Sequence, residues 1–284
     1  MTLNEEVSFF GGIFWLIFLF YSNFSFCIDR FIIYCISYKV KGLDMNDLLK
    51  CKKELLDNGF SVANDIYSDD EVHNILAAIQ EADTSHDTFR KTNDLFAIRQ
   101  FLKEVPLTFD LIFNDKLKEV IKEMIGDNFF VVKSIYFDKP ETSNWFVSYH
   151  QDLTISVDKK LELDNFGPWT TKQNQFAVQP PTAILENITT VRIHLDDTDE
   201  NNGALRVVPK SHLKKIYRPE TIDWNVEIEN TCAVKRGGLM FMKPLTLHSS
   251  GKTSNNKKRR VIHIEFSNLE LPSELKWAER LNLN

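Results

Sequence analysis

The chain has 284 residues, 43% apolar and 26% charged, with a formal net charge of −6. This balance suits one sizeable globular domain, with or without an appendage, large enough to hold a core without disulfides. It excludes a general nucleic-acid binder, because no basic stripe is present to neutralise phosphates and the one basic run, Lys257-Lys258-Arg259-Arg260, reads as a solvated turn.

In chain order, the first feature is an uncharged apolar run over residues 7–28, preceded by Glu5 and Glu6 and followed by Arg30, Lys39 and Lys41. It is long enough to cross a bilayer, and the basic residues behind it would place the rest of the chain in the cytoplasm. A cleavable signal peptide fits poorly, because acidic residues lead and no small-residue cleavage site follows. The other reading is that Met45 is the natural start and residues 1–44 are a translated upstream extension. Both stay open, and both put a domain at 45–284 in the cytoplasm. Cys27, Cys35, Cys51 and Cys232 have no C-x-x-C spacing, which argues for free thiols in a reducing compartment rather than a zinc site.

Residues 46–57 read as a helix with Leu48, Leu49, Leu55 and Leu56 as its stripe, stopped by Asn58-Gly59. Phe60–Val62 reads as a short strand. Ser68 with Glu71 forms a capping box opening a helix through Val72, Ile75, Leu76 and Ile79. Residues 83–95 read as loop, and helices are expected over 96–104 and 115–125. From Phe129 the pattern turns to strands: 129–137, 145–157, 191–195, 205–208, 238–242 and 261–266. Turn signals at 199–203, 235–238 and 254–256 separate the later ones. Helices followed by many strands predict a mainly β fold, with a jelly roll buttressed by N-terminal helices as the natural candidate. In 191–195, Val191, Ile193 and Leu195 alternate with Arg192 and His194, so the polar face meets either solvent or a wet interior.

His150 and Asp152 lie two apart in the predicted strand 145–157, so both side chains project from one face. A distal His248 would complete two imidazoles and a carboxylate, the set that leaves open positions on a non-haem iron. Among the other histidines, His73 and His86 read as surface groups and His212 as a loop tether. His194 and His263 read as structural, or as neighbours of the site.

Three stretches carry a family likeness: Asn144–Asp152 with its H-x-D, Asn202–His212 reading N-G-A-L-R-V-V-P-K-S-H, and Leu247-His248 through Arg259-Arg260-Val261-Ile262-His263. Together, over about 45–270, they resemble the phytanoyl-CoA dioxygenase family of Fe(II)- and 2-oxoglutarate-dependent oxygenases. The resemblance implies a double-stranded β-helix core with His150, Asp152 and His248 as iron ligands. It also implies an arginine paired with the C5 carboxylate of 2-oxoglutarate. Family spacing favours Arg259, with Arg260 as the fallback. Alternation agrees, since Arg260 shares its face with the apolar row Ile262, Ile264 and Phe266, which suits packing against helices. Gln151 and Trp169 are expected to line the cosubstrate or substrate pocket, and Ser250 to hydrogen-bond 2-oxoglutarate. The insertion 158–190 resembles the lid over which members differ in substrate.

The implied reaction consumes O2 and 2-oxoglutarate, hydroxylates a small molecule and releases succinate and CO2. Asp152 favours oxygen insertion over halogenation, because the related halogenases lack that carboxylate. The competing readings are a cupin-like metal dioxygenase without 2-oxoglutarate, which leaves Arg259 idle, and a non-catalytic jelly-roll binding module.

Overall fold

The computed structural model describes residues 44–83, 85–93, 96–143, 145–172 and 175–283. The apolar run 7–28 lies outside them. Among the described residues no helix is long and apolar enough to cross a membrane.

Helix α1 (Met45–Asn58) starts where the Asp44 side chain accepts from the Asn46 amide, and it stops at Gly59, whose φ of 88° suits glycine. Its buried stripe is Leu48, Cys51 and Leu55, while Leu49 and Leu56 are exposed. Strand β1 (Phe60–Ala63) follows, then α2 (Asp69–Gln80), opened by the full Ser68/Glu71 capping box. The stretch expected to be loop contains β2 (Phe89–Lys91), and the helix expected over 96–104 divides into β3 (Phe96–Arg99) and one turn, α3 (Phe101–Glu104). The break falls at Gln100, whose φ of 51° is left-handed. Edge pairing of Phe96–Arg99 with β4 (Phe130–Lys139) supplies the strand hydrogen bonds that outweigh local helix preference. Helices α4 (Thr108–Ile112) and α5 (Asp115–Ile125) complete the N-terminal layer, the second ending at Gly126 as its sequence predicts.

The remaining strands are β5 (Val147–His150), β6 (Ile155–Val157), β7 (Trp169–Lys172), β8 (Gln175–Val178) and β9 (Thr189–His194), with α6 (Thr182–Asn187) before β9. After them come β10 (Leu205–Val207), β11 (Asn230–Cys232), β12 (Leu239–Met242), β13 (His248–Ser250), β14 (Arg259–Ser267) and β15 (Leu281–Asn282). An eight-stranded sheet runs β1-β12-β9-β14-β4-β3-β2, with β15 also on β4. A four-stranded sheet runs β11-β10-β13-β5, and a three-stranded sheet β6-β8-β7 is built largely from the insertion. Every pairing among these strands is antiparallel, as in a double-sheeted jelly roll.

Alternation sorts the large sheet into two faces. On its outer face Ile262, Ile264 and Phe266 are buried; Phe266 meets Phe113 edge-on at 6.3 Å, and Tyr136 stacks on Phe101 at 5.7 Å. On its inner face, register aligns Lys133 with Glu265, Ile135 with His263, Phe137 with Val261 and Lys139 with Arg259. Arg192 and His194 join that face, opposite His263 and Val261, and both are buried. The polar side of 191–195 is therefore an interior wall, not a solvated one.

Candidate metal centre

The predicted single strand 145–157 is two strands, with Gln151–Thr154 leaving the sheet between them. His150 closes β5 and stands opposite His248, the first residue of β13. Asp152 is anchored just beyond the sheet by its amide, which donates to the Pro244 carbonyl at 2.9 Å. The three side chains still converge, with one ligand atom from each within 4.8 Å of the others. Asp152 lies 3.8 Å from Nε2 of His150 through Oδ1, and 3.8 Å from Nε2 of His248 through Oδ2.

Both imidazoles are held the same way. Nδ1 of His150 faces the Ser148 carbonyl at 2.8 Å, and Nδ1 of His248 faces the Thr246 carbonyl at 2.9 Å. A ring that donates from Nδ1 keeps its Nε2 lone pair, the posture of a metal-ligating histidine with its outer hydrogen bond in place. Burial pushes His248 down to about 4, with the Asp152 carboxylate resisting and His150 adding to the fall. It is therefore neutral at physiological pH, as a ligand must be. Burial raises Asp152, but His248, His263, Lys133 and His150 outweigh it and hold the carboxyl well below its usual range. These donors fit a divalent iron ion.

The triad opens on a cavity of about 140 Å³ that also holds Ser250, Arg192 and Arg259. Arg259 is 5% exposed and donates to the Gly203 carbonyl. Burial and the neighbouring Arg192 pull it down to about 9. Burial pulls Arg192 down to about 10, with Asp152 resisting, and its Nε has no hydrogen-bond partner. Neither guanidinium meets a carboxylate among the described residues. A buried arginine without an anion is costly, and the planar fork suits a carboxylate. The cavity fits an anionic cosubstrate.

Arg260 points the other way and grips Asp196 at 2.6 and 2.8 Å. Ser250 lines the cavity and donates to Gly203 at 3.1 Å. The N-G-A-L turn thus presents the Gly203 carbonyl to both Arg259 and Ser250. Gly203 has a φ of +83°, and a Cβ there would lie 2.7 Å from the Gly251 carbonyl oxygen, so only glycine fits.

Two sequence expectations place elsewhere. Gln151 does not reach the cavity: Nε2 donates to the carbonyls of Lys215 (2.7 Å) and Leu245 (2.6 Å), and Oε1 accepts from the Tyr217 amide (2.8 Å). As the residue between the two ligands it turns away from both, and it straps the 215–217 loop. Trp169 packs with Leu153, Phe166 and Phe176 against an apolar cluster around Ile155, Val178 and Trp277. Hydrophobic packing fixes it there, outside the cavity.

Sequence reading passed over Lys133, which pairs with Glu265 at 2.8 Å, and the link from Glu265 through His263 to Arg192 at 3.1 and 3.0 Å. The signal was present: Lys133 and Lys139 fall at the same strand parity as Ile135 and Phe137 and so share their inward face. His194 bonds Thr198 at 2.8 Å, and burial with Arg192 and Arg259 keeps it well below its usual range. His212 tethers the Leu56 carbonyl at 3.2 Å, while His73 and His86 are exposed.

A jelly roll with two imidazoles and a carboxylate gathered inside it has the architecture of the non-haem iron oxygenases. The chain belongs to the phytanoyl-CoA dioxygenase family, whose model matches residues 55–261. A relative from Stutzerimonas stutzeri, described as a probable alpha-ketoglutarate-dependent hypophosphite dioxygenase, is 24% identical over 250 residues, covering 76% of this chain and 77% of its own. Among solved structures, the non-haem alpha-ketoglutarate-dependent epimerase SnoN from nogalamycin biosynthesis matches with a TM-score of 0.59 at 17% identity, covering 79% of this chain and 84% of its own. EctD from S. alaskensis, solved with 2-oxoglutarate and 5-hydroxyectoine, matches with a TM-score of 0.59 at 16% identity, covering 79% and 76%. At these identities the structures speak for the fold.

Proposed function

We propose that the protein is a dioxygenase dependent on Fe(II), 2-oxoglutarate and O2 that hydroxylates a small organic molecule, with residues 45–284 as the catalytic domain. His150, Asp152 and His248 hold the iron, and Arg259 seats the C5 carboxylate of 2-oxoglutarate. The observation that carries this reading is the placing of an anion-deficient Arg259 in the same cavity as the three ligands. A metal dioxygenase without 2-oxoglutarate, or a jelly roll that binds without turnover, leaves that buried charge unexplained.

Iron in this site supplies oxygen activation coupled to decarboxylation of 2-oxoglutarate: one atom of O2 enters a substrate C–H bond, the other enters succinate, and CO2 leaves. The protein's own part is positioning. The Ser148 and Thr246 carbonyls fix the ring tautomers, and Asp152 brings one negative charge to the metal. Arg259 from the large sheet and Ser250 from the four-stranded sheet orient the cosubstrate within the cavity. Phe137, Trp145, Val147 and Leu205 line the rest of the cavity and keep water from the reacting atoms.

The relative's substrate, hypophosphite, is not carried over. The catalytic domain is assigned to the cytoplasm, in keeping with the unpaired thiols of Cys51 and Cys232. Cell fractionation tests that placement and the role of residues 7–28 together.

The test of function is spectroscopic. Fe(II) and 2-oxoglutarate added without oxygen to the purified protein should give a visible metal-to-ligand charge-transfer band. A wild-type protein that gives none sinks the proposal.

A further inference from the structure

A second cavity, of about 520 Å³, adjoins the metal cavity. Lys133 and Ile135 line both, so the two share a wall. On one side of the larger chamber stands the inner face of the large sheet; on the other stand Ser156, Thr170 and Ala177 of the small sheet β6-β8-β7.

Arg99 lines this chamber. Cross-strand register puts it in one row with Ile135, His263 and Arg192, so it belongs to the wall that carries the site. It is half-buried, and its guanidinium has no carboxylate or hydrogen-bond partner among the described residues; only its backbone amide is bonded, to Thr88. The nearby carboxylates are occupied. Glu265 is held by Lys133 and His263, and Glu279 accepts from both the amide and the hydroxyl of Ser134. Asp158, at the exposed rim, accepts from the Lys276 amide.

A charge account of the wall sharpens the point. A divalent ion, Asp152, Arg259 and dianionic 2-oxoglutarate neutralise one another, and Lys133 cancels Glu265. Arg192 and Arg99 then remain as cations with no carboxylate in contact among the described residues, while Asp158 and Glu279 line the chamber on hydrogen bonds of their own. Half-buried guanidinium is a poor tenant of a cavity without an anion, and it is the side chain that best grips planar oxyanions.

We propose that the substrate is a small organic anion whose carboxylate or phosphoryl group is clamped by Arg99, with its reacting carbon directed past Lys133 and Ile135 to the metal. This inference rests on the dioxygenase reading.

The test uses the full chain, loaded anaerobically with Fe(II) and 2-oxoglutarate and titrated with butyrate, butylphosphonate and neutral butyramide. Tryptophan fluorescence is one readout, since Trp145 lines the metal cavity; displacement of the charge-transfer band is the other. At least one anion should bind saturably and about tenfold or more tighter than the amide. Comparison of the two anions identifies the preferred group. Arg99→Gln should abolish the preference while the 2-oxoglutarate band persists, and Arg99→Lys should restore part of it. Equal binding of the amide, no saturable binding by either anion, or an anion preference that survives Arg99→Gln overturns the proposal. A missing band with the fluorescence preference intact would instead remove the dioxygenase reading and leave the anion site standing.

Discussion

Arg259 and Arg260 are neighbours in β14 with opposite surroundings: Arg259 enters the metal cavity and meets no carboxylate among the described residues, while Arg260 lies on the outer face and is forked onto Asp196 at 2.6 and 2.8 Å. Strand alternation produces the split, and it assigns the two guanidinia different work.

Arg259→Ala should therefore weaken 2-oxoglutarate binding by at least about tenfold, in line with a lost charge-assisted pair. Arg260→Ala should leave that affinity intact and lower stability by about 1–3 kcal/mol, the scale of hydrogen bonds to a charged group. Titration of the charge-transfer band and denaturant unfolding separate the outcomes; a band lost only in Arg260→Ala reverses the assignment.

Alanine at His150, Asp152 or His248 removes one of the three proposed ligands. Each variant should lose Fe(II) affinity by about a hundredfold or more, beyond the 10–100-fold typical of disturbing only a ligand's outer partner. Iron content after anaerobic dialysis is the measure, and a variant that retains stoichiometric iron would remove that residue from the set.

Gln151 has the strapping role described above, with all three of its hydrogen bonds directed to the backbone. Gln151→Leu leaves two carbonyls and one amide without that partner, and should destabilise the fold by about 3 kcal/mol. The folded fraction should bind 2-oxoglutarate with wild-type affinity. A selective loss of cosubstrate binding would return Gln151 to the pocket.

Burial raises Glu279 to about 7, although two hydrogen bonds from Ser134 oppose the shift. Its folded pKa lies above its unfolded value, so the folded state binds the extra proton. The stabilisation is complete below about pH 4.5 and is lost as pH rises through about 7, a change of about 3 kcal/mol for this group. Glu279→Gln should flatten the dependence of the unfolding midpoint between pH 5 and 8. An unchanged slope would place the titration elsewhere.

The gathering of His150, Asp152 and His248, and the inward turn of Arg259, were legible because both rest on short-range geometry. The spacing of His150 and Asp152, and the alternation along 259–266, survive folding even though the chain leaves the sheet after His150. Gln151 was misplaced in the pocket although the same alternation argues against it, since a residue between two same-facing side chains points away from them. The helix expected over 96–104 failed for another reason: Phe96–Arg99 becomes a strand only because β4 offers an edge remote in sequence. The same holds for the β7/β8 hairpin inside the insertion, and for Trp169, whose place depends on an apolar cluster assembled from distant segments. Arg99 was illegible as part of the site until β3 was seen to join the wall.

One consequence follows from the pairing of β5 with β13. Those strands meet at only two registered positions, His150 with His248 and Val147 with Ser250, with an irregularity between them. An ion gripped from both sides of this seam fastens the middle of the chain to its last third, closing a loop of roughly 100 residues whose entropic cost is otherwise met by a short ladder. Part of the affinity for metal is then spent on cohesion of the fold. Iron supply would govern the lifetime of the polypeptide as well as its turnover, and amide exchange at Ser148 and Ser250, faster in the iron-free protein than in the loaded one, would record it.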